Sequence, residues 1–135
     1  MGRFNKILIV DDDDTGTMLT KMIIENFDPS IEIDVVWNGR EALNYLDKYC
    51  FAGCGRDSGC PELILLDIRM PVMDGFEFLE KWQTKDTGDL KKIPVAMLSS
   101  SYSGDIAKAN KYQIMGYIEK PLSADSLASI FDKIH

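Results

Sequence analysis

Five times along the chain a short apolar run of strand length gives way to a stretch whose apolar residues recur at helical spacing, and this alternation fixes the class of fold. The runs are "NKILIV", "IEIDVVW", "ELILLD", "IPVAML" and "GYIE". "NKILIV" is almost continuously apolar, as a strand buried on both faces must be, whereas "IEIDVVW" alternates Ile31, Ile33 and Val35 as an edge strand would. Strands joined through helices pair in parallel, because each crossover is long and right-handed. The expectation is an α/β fold, a doubly wound five-stranded parallel sheet with helices on both faces.

The helices carry their own start signals. Asp14 or Thr15 can cap the first, whose Met18, Leu19, Met22, Ile23 and Phe27 form the apolar face until Asp28-Pro29 stops it. Asn38 caps the second, with Glu41 three residues on and Ala42, Leu43, Leu46 and Cys50 as its apolar set. The turn "MPVMDG" leads to a third helix bearing Phe76, Phe78, Leu79 and Trp82. A short, weakly patterned fourth helix follows "SSSYSGD", and Ser123 caps a last one with Leu127, Ile130, Phe131 and Ile134 on one face. "FAGCGRDSGC" and "KDTGDLKK" read as loops.

A length of 135 residues with 45% apolar content suits one domain over residues 1–135, and no linker or repeat divides it. A formal charge of −7 repels a phosphate backbone or an anionic membrane, so neither nucleic acid nor membrane is expected as a direct partner. A cationic partner fits better. No run approaches the roughly 18 apolar residues of a membrane span, and "MGRFNK" leads straight into a strand, so the expected location is cytoplasmic. Cys50, Cys54 and Cys60 read as free thiols: a metal site would want a fourth ligand, and the only histidine is His135.

In sheets of this kind ligands bind beyond the carboxyl ends of the strands, where strand order reverses. For the order 2-1-3-4-5 that point lies between strands one and three. "KILIVDDDDTGT" puts Asp11 and Asp12 at the end of strand one, and "ELILLD" puts Asp67 at the end of strand three. Three ionised carboxylates that converge repel one another, so they take up protons or bind a hard cation, and an open oxygen-rich site suits Mg2+. Ser99 at the fourth strand end and Lys120, before Pro121 at the fifth, add a hydroxyl and an ammonium. Those are the donor and the charge that a transferring phosphoryl group requires. Asp13 and Asp14 belong to a helix start, where acidic residues suit the dipole.

In this order the motifs resemble the receiver domain of a two-component response regulator. The matching residues are "ILIVDDD", "LILLDIRMPVMDGFEFL", "VAMLSSS" and "GYIEKPL", and the similarity runs from Asn5 to Ile134. The resemblance implies a flavodoxin-like, stand-alone receiver with no output domain, a signalling protein rather than an enzyme. It implies that Asp67 accepts a phosphoryl group from a histidine kinase or a histidine phosphotransfer protein. It further implies Mg2+ held by Asp12, Asp67 and the Arg69 carbonyl, with Asp11 acting mainly through water. Lys120 would pair with the phosphoryl oxygens, Ser99 would move toward them, and Tyr117 would change rotamer. That change would alter the face built from the fourth helix, the fifth strand and the last helix, for a downstream protein target or for homodimerisation on phosphorylation. Three departures stand out: serine at position 99 where threonine is commoner, the long cysteine-rich segment Phe51 to Pro61, and Arg69 and Ser101 at positions that tune aspartyl-phosphate lifetime.

"DDDDTGT" also matches the aspartate-x-aspartate-x-threonine start of haloacid-dehalogenase-type phosphohydrolases, with Asp11 as nucleophile and Asp13 as acid/base. That reading needs a further acidic pair after the lysine, and only the isolated Asp125 and Asp132 follow Lys120. It also leaves "LDIRMPVMDG" without a task.

Overall fold

The computed structural model describes residues 6–49, 61–68, 72–84, 93–99, 114, 116–119 and 123–134. The apolar runs become strands: β1 (Lys6–Val10), β2 (Glu32–Val36), β3 (Leu63–Asp67), β4 (Val95–Ser99) and β5 (Gly116–Glu119). All pair in parallel, in the order β2-β1-β3-β4-β5. β1 and β3 are buried at every position, as their unbroken apolar runs require, and β2 is the partly exposed edge.

Successive side chains of a strand point to opposite faces, so each central strand feeds two cores. Leu8 and Val10 of β1 and Ile64 and Leu66 of β3 face α2 (Gly39–Tyr49) and α3 (Gly75–Thr84), where Leu46, Phe78 and Trp82 meet them. Ile7, Ile9, Leu63 and Leu65 face the other way, toward α1 (Asp14–Phe27) and α4 (Ala124–Ile134), where Ile24, Leu127 and Ile130 close the second core. The doubly wound sheet expected from the alternation is present. The segment expected to form a helix between β4 and β5, the loop of Cys54 and Cys60, and Cys50 itself lie outside the described residues.

Capping follows the sequence signals, with one shift. Asn38 Oδ1 accepts from the Glu41 N–H at 2.8 Å, while Glu41 reaches back to the Trp37 N–H at 2.9 Å. A second reciprocal box starts α3, between Asp74 and Glu77. Ser123 Oγ accepts from the Ser126 N–H at the start of α4. In α1 the cap is Asp13, one residue before Asp14 and two before Thr15: its carboxylate accepts from the Thr15 N–H at 3.2 Å.

The inward face of α1 is also corrected. Thr17, Thr20 and Ile24 are the buried residues, whereas Met18, Leu19, Met22 and Phe27 are 64, 50, 52 and 43% exposed. Two short threonines therefore occupy the inward stripe beside Ile24. Thr20 also satisfies its own hydroxyl by donating to the Gly16 carbonyl one turn back, at 2.9 Å. By contrast Phe76, Phe78, Leu79 and Trp82 of α3 are all buried, as expected.

Lys6 is the one charged residue in β1, and it is 9% exposed. Its ammonium lies 3.0 Å from Asp34 of β2 and over the rings of Tyr45 and Tyr49, while the Tyr45 hydroxyl donates to Asp34 at 2.6 Å. Burial opposes the charge on Lys6, yet the hydrogen bonds to Tyr45 and Asp34 outweigh it and hold the pKa above its ordinary value. Burial likewise acts to raise Asp34, and the bonds from Tyr45 and Lys6 win and hold it below the usual carboxylate range. This cluster ties the edge strand to β1 and α2 at the end of the sheet away from Val10.

Candidate functional site: a carboxylate cluster at the strand ends

Register brings the acidic residues together. Val10 pairs with Leu66, so the next residue of each strand, Asp11 and Asp67, leaves the sheet at the same level. Asp11, Asp12 and Asp67 each offer a carboxylate oxygen within 4.8 Å of the others'. Asp11 is 1% exposed and Asp67 7%, while Asp12 is exposed. A site of this shape has hard oxygen donors, two buried and one facing solvent, so it fits a small divalent cation that keeps waters of its own. The ion would also relieve the repulsion among the three carboxylates.

Each member is held by backbone geometry. The Asp11 N–H donates to the Val36 carbonyl at 3.0 Å, which extends β1 past its last paired residue, and Asp11 Oδ1 accepts from the Asp13 N–H at 3.0 Å. Asp67 is fixed between Leu98 of β4 on one side and the end of β1 on the other. Beyond it the chain turns back: the Gly75 N–H donates to the Ile68 carbonyl at 2.9 Å, placing the first turn of α3 against the Asp67 backbone. Within that turn Val72 has φ 69° and is 73% exposed. A β-branched residue in the left-handed region is strained, and the strain sits five residues from Asp67.

Asp13, the acid/base of the phosphohydrolase reading, is outside the cluster and caps α1. Tyr117 pairs with Met97 across β4 and β5, and its ring packs on the α2–α3 core. Its hydroxyl is buried, and among the described residues it has no hydrogen-bond partner. Ser99 ends β4 next to Glu119 of β5. Arg69, Lys120 and the side chain of Ser99 lie outside what the structure describes. Sequence reasoning missed the Lys6–Asp34–Tyr45 cluster, the strained Val72 and the Asp74–Glu77 box. Only the box had a readable signal, an acidic residue three positions before a glutamate.

Comparison with known proteins gives a consistent result. The family described as the response regulator receiver domain matches residues 7–132. The probable methanogenesis regulatory protein FilR2 of Methanothrix harundinacea is 34% identical over 95% of this chain and 79% of its own length. A two-component response regulator of Cytophaga hutchinsonii superposes with a TM-score of 0.83 at 31% identity, covering 98% of both chains. The Mn2+-bound form of response regulator Rcp1 superposes with a TM-score of 0.72 at 25% identity, covering 95% of this chain and 90% of that one. The chain spans 52–56% of the length of two other relatives, both probable transcriptional regulators.

Proposed function

Because the chain belongs to the response regulator receiver domain family, we propose that it is a phospho-accepting switch of a two-component phosphorelay, with Asp67 as the acceptor and a histidine kinase or histidine phosphotransfer protein as donor. The observation that carries this reading is the convergence of Asp11, Asp12 and Asp67 at adjoining strand ends. Asp67 attacks phosphorus through a carboxylate oxygen; the P–O bond forms as the P–N bond to the donor histidine breaks, and the electron pair stays on the histidine nitrogen.

Asp12 and Asp67 would hold Mg2+ directly, with the Arg69 carbonyl, and Asp11 would orient the ion's water. The bound ion supplies charge neutralisation for the phosphoryl oxygens. The hard, open donor set suits Mg2+ and equally the Mn2+ of the Rcp1 structure. Lys120 pairs with a product oxygen, Ser99 donates a charge-assisted hydrogen bond to another, and Tyr117 follows the space that Ser99 vacates. The face formed by β5, α4 and the segment before β5 then binds a downstream protein or a second copy. Among the described residues no helix is long and apolar enough to cross a membrane, which accords with action in the cytoplasm.

Labelling with a small phosphodonor such as acetyl phosphate tests the reading. The expected result is an Mg2+-dependent acyl phosphate on Asp67 that Asp67→Asn lacks. Turnover that survives Asp67→Asn and is lost in Asp11→Asn would instead make the chain a phosphohydrolase. Absence of both would make it a passive interaction module.

A further inference from the structure

Between α2 and α3 runs a groove of ≈ 440 Å³ lined by Arg40, Leu43, Asn44, Asp47, Met73 and Lys81. Four of these stand at i, i+3, i+4 and i+7 on one stripe of α2, so Arg40 and Asp47 mark the ends of a trough about 10 Å long. Its floor is apolar: Leu43 and Met73 are partly buried and pack on the core beneath. The two walls are fixed to each other. The Gly39 N–H donates to the Met73 carbonyl at 3.0 Å, and a Cβ on Gly39 would lie 2.8 Å from Met73 Cγ, so the turn before α3 is seated on the first turn of α2. An occupant therefore finds the trough already formed, without the cost of ordering it.

Charge selects that occupant. Arg40 and Asn44 stand one turn apart, both exposed, and neither makes a hydrogen bond or ion pair among the described residues. In a chain where 22 acidic residues outnumber 15 basic ones, this guanidinium keeps its donors open to a ligand. A guanidinium fork and a carboxamide N–H side by side are the donors that a planar carboxylate accepts from. Lys81, which has an interaction of its own, adds a second positive charge across the trough. Asp47 limits how much negative charge can enter. A doubly charged phosphate would meet a like charge inside the same trough, whereas a carboxylate carries one charge and holds it at the Arg40 end, away from Asp47.

We propose that the α2–α3 groove binds a small organic carboxylate, its charge on Arg40 and Asn44 and its apolar body laid over Leu43 and Met73. The volume is that of a small-molecule site, and the Met73 thioether favours a ring edge, so an aryl body fits best. None of the lining residues belongs to the carboxylate cluster, and the inference does not rest on the phosphoacceptor reading.

The test uses the full chain, labelled with 15N and without added metal, and 3-phenylpropanoate as the probe. The expected result is a saturable set of amide shifts concentrated at Arg40, Asn44 and Met73, with a millimolar dissociation constant. Neutral 3-phenylpropanol, which keeps the body, and inorganic phosphate, which keeps only charge, should each bind at least about tenfold more weakly. Arg40→Gln should weaken 3-phenylpropanoate about tenfold, Asn44→Ala less, and Arg40→Lys should fall between wild type and Arg40→Gln, because it keeps the charge and loses the fork. Both positions are exposed, and an unchanged melting temperature verifies the fold. Asp67→Asn should bind as wild type. Equal binding by Arg40→Gln would overturn the proposal, as would the absence of any saturable shift in wild type or loss of binding in Asp67→Asn. Phosphate binding as tight as that of 3-phenylpropanoate would make the groove a general anion site and overturn it. A short peptide alternating leucine and glutamate that shifts the same amides where 3-phenylpropanoate does not would make it a protein-docking surface, and would overturn it as well.

Discussion

A Cβ added to Gly75 would lie 2.6 Å from the carbonyl oxygen of Asp67. Helix α3 begins so close to the end of β3 that only a residue without a side chain fits, and the strand end it touches carries Asp67, the proposed acceptor. Gly75→Ala must push the two apart, with overpacking of about 1–3 kcal/mol to relieve. The expected outcome is a lower urea midpoint together with a labelling rate from acetyl phosphate that falls further than stability does. Normal labelling of a destabilised Gly75→Ala protein would mean that Asp67 tolerates the displacement.

Asp12 and Asp13 are neighbours with different tasks. Asp12→Ala is expected to abolish Mg2+ binding in calorimetry and to raise the metal-free melting temperature, because one of three mutually repelling carboxylates is gone. Asp13→Ala is expected to leave Mg2+ binding nearly intact and to cost about 1 kcal/mol through the lost cap. Equal loss of Mg2+ binding in both would return the phosphohydrolase assignment to consideration.

Val72 holds φ 69° at an exposed position, so its side chain has strain to lose and little packing to give up. Val72→Gly or Val72→Asn is expected to raise stability, by about 1 kcal/mol for the better of the two. Thermal unfolding measures it. A fall in both would show that Val72 is held by contacts worth more than its strain.

Asp34 gives a pH signature whose sign is fixed by direction. Its folded pKa lies below its unfolded value of about 3.9, so its stabilisation is present above that value and is lost as pH falls through the folded pKa. Lys6 acts oppositely: its folded pKa is raised above about 10.4, so its share is present below that value and is lost only in strong alkali. Asp34→Asn should therefore be less stable than wild type near neutrality, and the gap should close as pH drops below about 4. A gap that stays constant across urea titrations at each pH would mean that Asp34 contributes by packing alone.

The parts that sequence made legible are those set by period and by strand ends. An aliphatic run names a buried strand, its last residue names the sheet's upper edge, and so Asp11, Asp12 and Asp67 could be placed together from their positions alone. The four large residues of α3 had no alternative to the core. Helix α1 was ambiguous because it carries two plausible stripes. Methionine and leucine look like core, yet the buried stripe is Thr17, Thr20 and Ile24, with the Thr20 hydroxyl bonded within the helix. The contact of Gly75 with Asp67 and the strain at Val72 depend on how one turn closes in three dimensions. Neither leaves a periodic trace.

The sheet order also decides when, during synthesis, this chain can become itself. β1 is made first, but its inner neighbour is β3, and Ile7 waits for Leu63, fifty-six residues later. Until then a nascent chain can pair β1 only with β2 and presents the apolar Ile7–Val10 on an open edge, the state in which a growing polypeptide is most prone to adhere to others. The same event that closes this edge delivers Asp67 to Asp11 and Asp12. An unfinished chain therefore lacks the three-carboxylate cluster, and the edge that β3 closes for β1 passes to β3 itself until β4 is made.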